Sequence, residues 1–399
     1  MKTKAHQQTT ESIPVNGDVL RWARETAGLS IDDAIKKIDR KGVTYETVLA
    51  WEAEIESPTY TQLERLAYEI YKRPLAMFFF PEPPEEVTPK QSFRTLPDYE
   101  IEIMPSAMRM LLRKASVFQL NLYELYESVN PAIKPIVQNL SFAPNVSAIE
   151  MAKTVREYFS VTVEEQSSWK NTDKALKVWR EKLETHGVFV FKDAFHTDQF
   201  SGFCLYDENF PVIYVNNSKP RTRQLFTLFH ELAHLLFKTG GIDTRIDDYI
   251  DYLEGDNKQI EILCNKFAGE FLVPTGVLDL KLKNARIDDS LIEELAGFFQ
   301  VSREVILRRI FDKGLINQKY YDDKVSTWVR ESTSKSGKGG GGNYYSTQGA
   351  YLGGKYIEKA FSSYYQQRIT SERLADYLGV KVKNLNGMES LLYSKGNAA

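Results

Sequence analysis

The chain has 399 residues, 42% hydrophobic and 26% charged, with a formal net charge of −3 at pH 7. That length suits two or three domains with ordinary cores, and so small a net charge excludes a whole-molecule field that draws the protein to nucleic acid. Its two cysteines, Cys204 and Cys264, exclude a disulfide framework; both sit in apolar patterns and read as small buried hydrophobes. The first ten residues lack the apolar core of a signal peptide, and the longest aromatic-apolar run, Leu75 to Phe80, is too short to span a bilayer. The expectation is a cytoplasmic protein without a membrane segment.

Residues 1–14 are expected as a disordered arm, and residues 15–80 as a small all-helical domain. Its first helix contains Val19 to Glu25 and ends near Gly28. Ser30 is an N-cap with Asp33 as capping-box partner, and Ile31, Ala34, Ile35 and Ile38 give the next helix its apolar face. Helices over Thr44–Glu54 and Thr61–Tyr71 follow, separated by Ser57-Pro58-Thr59. If this helix-turn-helix reads DNA, Thr44, Tyr45 and Thr47 are the residues presented to the major groove. From Asn16 to Phe80, however, nine Lys/Arg face eleven Asp/Glu, so no basic surplus supports phosphate contacts. Arg21, Arg24, Lys36, Lys37, Arg40 and Lys41 would have to gather on one face. A protein-interaction or dimerisation module on the same scaffold is the alternative.

Residues 81–90 are a stiff, Pro-rich linker and 91–140 a helical connector, in which the aromatic stripe of Ala107–Val129 reads as core. Residues 141–330 read as an α+β domain. Helices over Asn145–Glu157 and Asp173–His186 precede strands at Gly187–Lys192, Gly202–Tyr206 and Val212–Asn216, and Pro220 opens a strongly apolar helix. That helix carries His230-Glu231-Leu232-Ala233-His234. Histidines at i and i+4 share a helix face and can reach one metal ion, with Glu231 placed to take a proton from the attacking water. A hydrolytic zinc site needs a third ligand. The acids of the polar stretch at Asp243, Asp247, Asp248, Asp251, Glu254 and Asp256 read as solvated surface. Glu261 instead flanks the buried stripe Ile260, Leu263, Cys264, Phe267, Phe271, where a carboxylate needs a partner. Asn265, one turn on, can hydrogen-bond and orient a ligating histidine. Tyr214, His186 and His196 are candidate oxyanion donors. An extended substrate is expected to pair with an exposed strand edge of this sheet.

Ile292–Leu307 resembles a second helix-turn-helix and reads as a packing hairpin. Residues 331–347 read as a flexible Gly-rich linker; they lack the residue order and preceding strand of a phosphate-binding loop. Residues 348–395 are expected as a helical C-terminal region, in which Thr370–Leu385 is a further candidate for nucleic-acid or partner contact.

Phe226-Thr-Leu-Phe-His-Glu-Leu-Ala-His-Leu-Leu-Phe237, Ile260-Glu-Ile-Leu-Cys-Asn-Lys-Phe-Ala268 and Phe271-Leu-Val-Pro274 resemble the ImmA/IrrE family of metallopeptidases, in the form with an N-terminal XRE-type helix-turn-helix. Gly202–Tyr206, Pro211–Asn216 and the Gly-rich segment near 340 extend the resemblance over most of the chain. It implies an α+β protein: an all-helical helix-turn-helix domain, a zincin-like peptidase domain of small sheet plus active-site helices, and a helical C-terminal region. It also implies metal ligation by His230, His234 and Glu261, with Glu231 as catalytic base. Zinc is the expected ion and manganese the alternative. The family cleaves or inactivates a helix-turn-helix repressor, so the expected partner is a regulatory protein or the chain itself, cut at Pro81–Pro89 or Lys335–Gly342. DNA bound through the N-terminal module and homodimerisation are further partner expectations. The alternative reading is a non-catalytic DNA-binding regulator or antitoxin-like protein that uses the peptidase fold for sensing; an amidase is the rival hydrolase. The stretch Asp247–Asn257 can fold over the metal and hold it latent.

Overall fold

Side-chain caps set where the N-terminal helices begin. The computed structural model describes residues 12–39, 42–86, 104–197, 199–244, 255–334 and 343–394. The arm up to Glu11, Arg40, Lys41, the linker from Val87, the connector up to Ile103, the acids at 247–254 and the segment Lys335–Gly342 lie outside the described residues. The division between two compact units falls within one helix, after Lys114.

In the first unit, α1 (Gly17–Thr26) is capped by Asn16, and α2 (Ile31–Ile38) by the reciprocal Ser30–Asp33 box that the sequence implies. Helix α3 (Tyr45–Glu52) is capped by Thr44, and α4 (Tyr60–Arg65) by Thr59 before it runs on as a π-helical turn, Leu66–Tyr71. Leu20, Ala23, Ala34, Val48, Trp51 and Leu63 meet in one core. Arg24 clamps α1 to α3: its Nε and Nη2 donate to the two Glu52 carboxylate oxygens at 2.6 and 2.9 Å, and its Nη1 to the Leu29 carbonyl at 3.0 Å. A buried arginine paired in this two-pronged way satisfies its own donors and neutralises the carboxylate it faces.

Helix α5 (Ser106–Leu125) ends earlier than the connector reading implies. Glu127 and Ser128 adopt positive φ, and a short turn of helix, Ile136–Asn139, precedes the second unit's α6 (Ala148–Phe159); a further short helix, Val163–Ser168, separates it from α7 (Thr172–Thr185). Strands β1 (Phe189–Asp193), β2 (Phe200–Leu205) and β3 (Val212–Asn216) match the three expected segments. Helix α8 (Arg221–Leu236) and a fourth strand, β4 (Gly241–Thr244), come next. The sheet order is β1-β3-β2-β4, with β1 parallel to β3 and the other pairs antiparallel. Asp243 therefore lies in a strand rather than in the solvated loop read from its acidic neighbours. Four residues opening on Gly241, directly after Gly240, are too few for a period-two signal.

Alternation along the strands divides the sheet. Val190, Cys204, Ile213 and Val215 join α8 in one core. On the opposite face, Phe191 stacks on Phe118 of α5 at 4.4 Å and Tyr214 on Phe203 at 5.1 Å. The aromatic stripe of α5 is core, as its spacing implies. Gly202 lets β2 lie close to α8: a Cβ there would stand 2.4 Å from Thr227 Cγ2 and 2.8 Å from the Tyr214 carbonyl oxygen.

Lys192, on the helix-facing side of β1, is buried with its ammonium donating to Gln224 Oε1 at 3.0 Å. Burial beside a neutral partner lowers its pKa to about 7. The unfolded chain holds that proton to the ordinary lysine range, so above about pH 7 it binds more protons than the native state and stability rises with pH. Relative to Lys192→Met, the wild type should gain up to about 1.4 kcal/mol per pH unit between about pH 7 and 9 in urea titrations. Parallel stability curves would mean that the native amine stays charged throughout.

The chain continues through α9 (Gly255–Leu272), α10 (Thr275–Leu282), α11 (Asp289–Phe299), α12 (Arg303–Asp312) and α13 (Gln318–Ser334). Helices α11 and α12 are the packing hairpin expected at 292–307. Ile292, Leu295, Phe299, Ile306 and Ile310 join the core around α8, and Gln300 turns the chain at φ 59°. Helices α13 and α14 (Tyr344–Leu352) both run into the segment read as a linker over 331–347. Helices α15 (Gly354–Tyr365), α16 (Ser371–Leu378) and α17 (Leu385–Ser394) complete the C-terminal region. Arg180 of α7 fastens that region to the sheet: its guanidinium donates to the carbonyls of Val190 in β1 and of Ala350 and Tyr351 in α14. Among the described residues no helix is long and apolar enough to cross a membrane.

Candidate metal centre

Helix α8 is buried almost all round from Leu225 to Leu236, and both histidine rings are covered. His230, Glu231, His234 and Glu261 are each at most 1% exposed. Helix α9 packs along α8 and brings Glu261 to the imidazoles. His230 Nε2 and His234 Nε2 are 3.2 Å apart, with the Glu261 oxygens 3.6 Å from the first and 3.3 Å from the second. Among the described residues these three form the cluster able to hold a metal.

The outer ring nitrogens fix the tautomers. His230 Nδ1 faces Asn265 Oδ1 at 3.0 Å, the orienting contact expected of Asn265. His234 Nδ1 faces Thr239 Oγ1 at 3.3 Å, and that hydroxyl in turn donates to the His234 carbonyl at 3.1 Å. An Nδ1–H on each ring turns both Nε2 atoms toward each other and toward a carboxylate, an arrangement that a proton or a metal cation between them relieves. Atoms about 2.0–2.1 Å from a tetrahedral cation stand about 3.3–3.4 Å apart, close to the separations found. Desolvation opposes charge on His234, but Cys264 and Glu261 outweigh it and hold its pKa well above the ordinary histidine range. The pocket thus draws positive charge onto a buried ring.

The two thiols are neighbours of this centre. Burial, followed by the Glu231 carboxylate, pushes Cys204 well up, and burial takes Cys264 to about 11 although His234 pulls the other way. Among the described residues the donor atoms that converge are two imidazoles and a carboxylate, without either thiol.

Thr239 and Gly241 were not singled out in the sequence. Lys238, at φ 58°, turns the chain back after α8, placing Thr239 on His234 and starting β4 beside the ring. Gly241 passes so close that a Cβ would meet His234 Cδ2 at 2.3 Å and Nε2 at 2.7 Å. Gly241→Ala should displace a ligand rather than a free side chain, weakening metal binding by about tenfold or more; unchanged affinity by metal-competition titration would show that the strand yields instead.

The candidate oxyanion donors are elsewhere. Tyr214 lies on the sheet face away from α8, its hydroxyl donating to Asp193 Oδ2 at 3.3 Å. His186 packs on Phe159 with Nδ1 against the Lys182 carbonyl, and His196 is exposed. Of the candidate DNA contacts, Thr44 and Tyr45 are exposed, but Thr44 and Thr47 serve as each other's capping partners. The Thr47 amide donates to Thr44 Oγ1 at 3.4 Å and the Thr44 amide to Thr47 Oγ1 at 3.2 Å.

Two imidazoles and a carboxylate converge from paired helices beside a small sheet as a cluster that could hold a metal ion. Residues 183–311, which contain it, match the peptidase family described as the IrrE N-terminal-like domain. The radiation response metalloprotease IrrE of Deinococcus deserti is 36% identical over 99 residues, covering 24% of this chain and 34% of that protein. The protein of the same name from Deinococcus radiodurans is 33% identical over 99 residues, covering 24% of this chain and 30% of its own length. The chain thus spans about a third of the curated relatives it matches, and the likeness is to their metalloprotease domain.

Proposed function

We propose that this chain is a metal-dependent endopeptidase of the zincin type. His230, His234 and Glu261 hold zinc, or manganese in its place, and Glu231 is the general base. The reading rests on one observation: two Nε2 lone pairs and a buried carboxylate face a common point, with Glu231 adjoining on the same helix. A bound cation supplies Lewis acidity there, polarising the scissile carbonyl and acidifying a water. Glu231 accepts that water's proton and returns it to the leaving amine. Asn265 and Thr239 keep the imidazoles aimed. The names of the Deinococcus relatives support a protease.

The substrate is read as a regulatory protein of repressor or antitoxin type, or the chain itself, presented as an extended segment. Sheet order puts β1 and β4 at the two edges. The Val190 carbonyl of β1 is occupied by Arg180, whereas β4 runs past His234 at Gly241, which favours β4 as the pairing strand. The N-terminal module is read as a helix-turn-helix coupled to this activity.

Chelation should abolish cleavage of a co-purified or co-expressed regulatory substrate, or of the chain itself, and stoichiometric zinc or manganese should restore it. Cleavage indifferent to both treatments would reject the reading.

A further inference from the structure

Helix α3 buries Val48, Trp51 and Glu52 and turns the opposite side outward. On that side Tyr45 and Leu49 are followed by Ala53 at the C-cap, each four residues after the last, and Ile55 comes after the left-handed Glu54 that ends the helix. Tyr45 is 46% exposed, Leu49 43% and Ile55 78%. Exposed apolar groups at i, i+4 and i+8 match the anchor spacing of helix-in-groove recognition.

The charges carried by this segment are of one sign. Residues 44–56 contain Glu46, Glu52, Glu54 and Glu56 and neither lysine nor arginine. Arg24 neutralises Glu52, and Glu54 Oε1 accepts the Gly17 amide at 2.8 Å. Glu46 and Glu56 are exposed. Of the described bases, Arg21 and Arg24 of α1 are turned onto Glu52 at the end of α3, Arg21 donating to its carbonyl at 3.0 Å, and Lys36 and Lys37 belong to the last turn of α2. A phosphate backbone laid along α3 would meet carboxylates, and a second copy docked face to face would set Glu46 and Glu56 against their own kind. A cationic partner meets neither cost.

We propose that the Tyr45–Leu49–Ala53 face of α3 docks a basic amphipathic helical segment of a partner protein, its apolar side on the stripe and its lysines or arginines against Glu46, Glu54 and Glu56. The site would recruit that partner by a short cationic helix. It does not depend on the metal centre, and its test leaves the peptidase reading untouched.

The test is fluorescence anisotropy with the full-length chain and three labelled probes. These are a Leu/Lys amphipathic helical peptide, the same peptide with Glu for Lys, and a random-sequence DNA duplex. The Lys peptide should bind, weaken with added salt, and weaken about tenfold in Leu49→Glu and several-fold in the Glu46→Lys, Glu56→Lys double variant. The Glu peptide should not bind. The altered side chains are exposed, and an unchanged far-ultraviolet spectrum and melting temperature would confirm folding. The proposal is overturned if the Lys peptide does not bind or binds Leu49→Glu equally. Duplex binding that Leu49→Glu removes would make α3 a nucleic-acid face and overturn it too. So would a sedimenting dimer that the same substitution dissociates, since the face would then be self-complementary.

Discussion

Glu231→Gln should retain its metal and lose about 10²- to 10⁴-fold in cleavage rate, the range a positioned general base contributes. The substitution preserves volume at a fully buried position and removes the one group on α8 that can accept a proton beside the two ligands. Holding and proton transfer are divided between residues here, because His230, His234 and Glu261 converge without Glu231. Metal content by mass spectrometry and turnover on one preparation separate the two roles. A variant that cleaves at the wild-type rate removes Glu231 from the mechanism; one that loses its metal assigns it to binding.

Glu261→Gln should do the reverse. Partners that merely orient a ligand are worth about 10- to 100-fold in affinity, so loss of a direct ligand should exceed about 100-fold. The wild type should melt higher with saturating metal, by the equivalent of about 2.7 kcal/mol at a hundredfold excess over Kd. That increment should vanish in the variant. A variant that is less stable without metal and still gains from its addition would show that Glu261 is a structural acid and that another group completes the site.

The centre was legible in the sequence wherever its parts lie on regular helix. His230 and His234 follow from i, i+4 spacing, and Glu261 and Asn265 from their place beside the apolar stripe of α9. Thr239 was not, because it reaches His234 through a left-handed turn at Lys238 that carries no period. Gly241 matters through proximity between elements, which no local pattern encodes. Tyr214 shows a different limit. Alternation establishes that it and Val215 point opposite ways, but which side of β3 meets α8 is decided by packing. Thr44 and Thr47 are ambiguous by chemistry, since the hydroxyls that suit base contacts also suit capping boxes, and here they cap. In the first unit the helix starts were readable because Ser30 and Thr44 act within a few residues of themselves. The short strand β4 was not, for lack of length.

Arg180 has a practical consequence for anyone trimming this protein. The segment picked out by similarity begins at residue 183, three positions after this arginine, and stops far before Ala350 and Tyr351, which share its guanidinium. A fragment cut to those limits would lose the cover over the Val190 carbonyl and expose a bare strand edge made of Phe-Val-Phe. Such an edge recruits further strands. Insolubility of the minimal fragment would therefore say nothing about its metal chemistry, and a workable excision has to carry α7 at one end and α14 at the other.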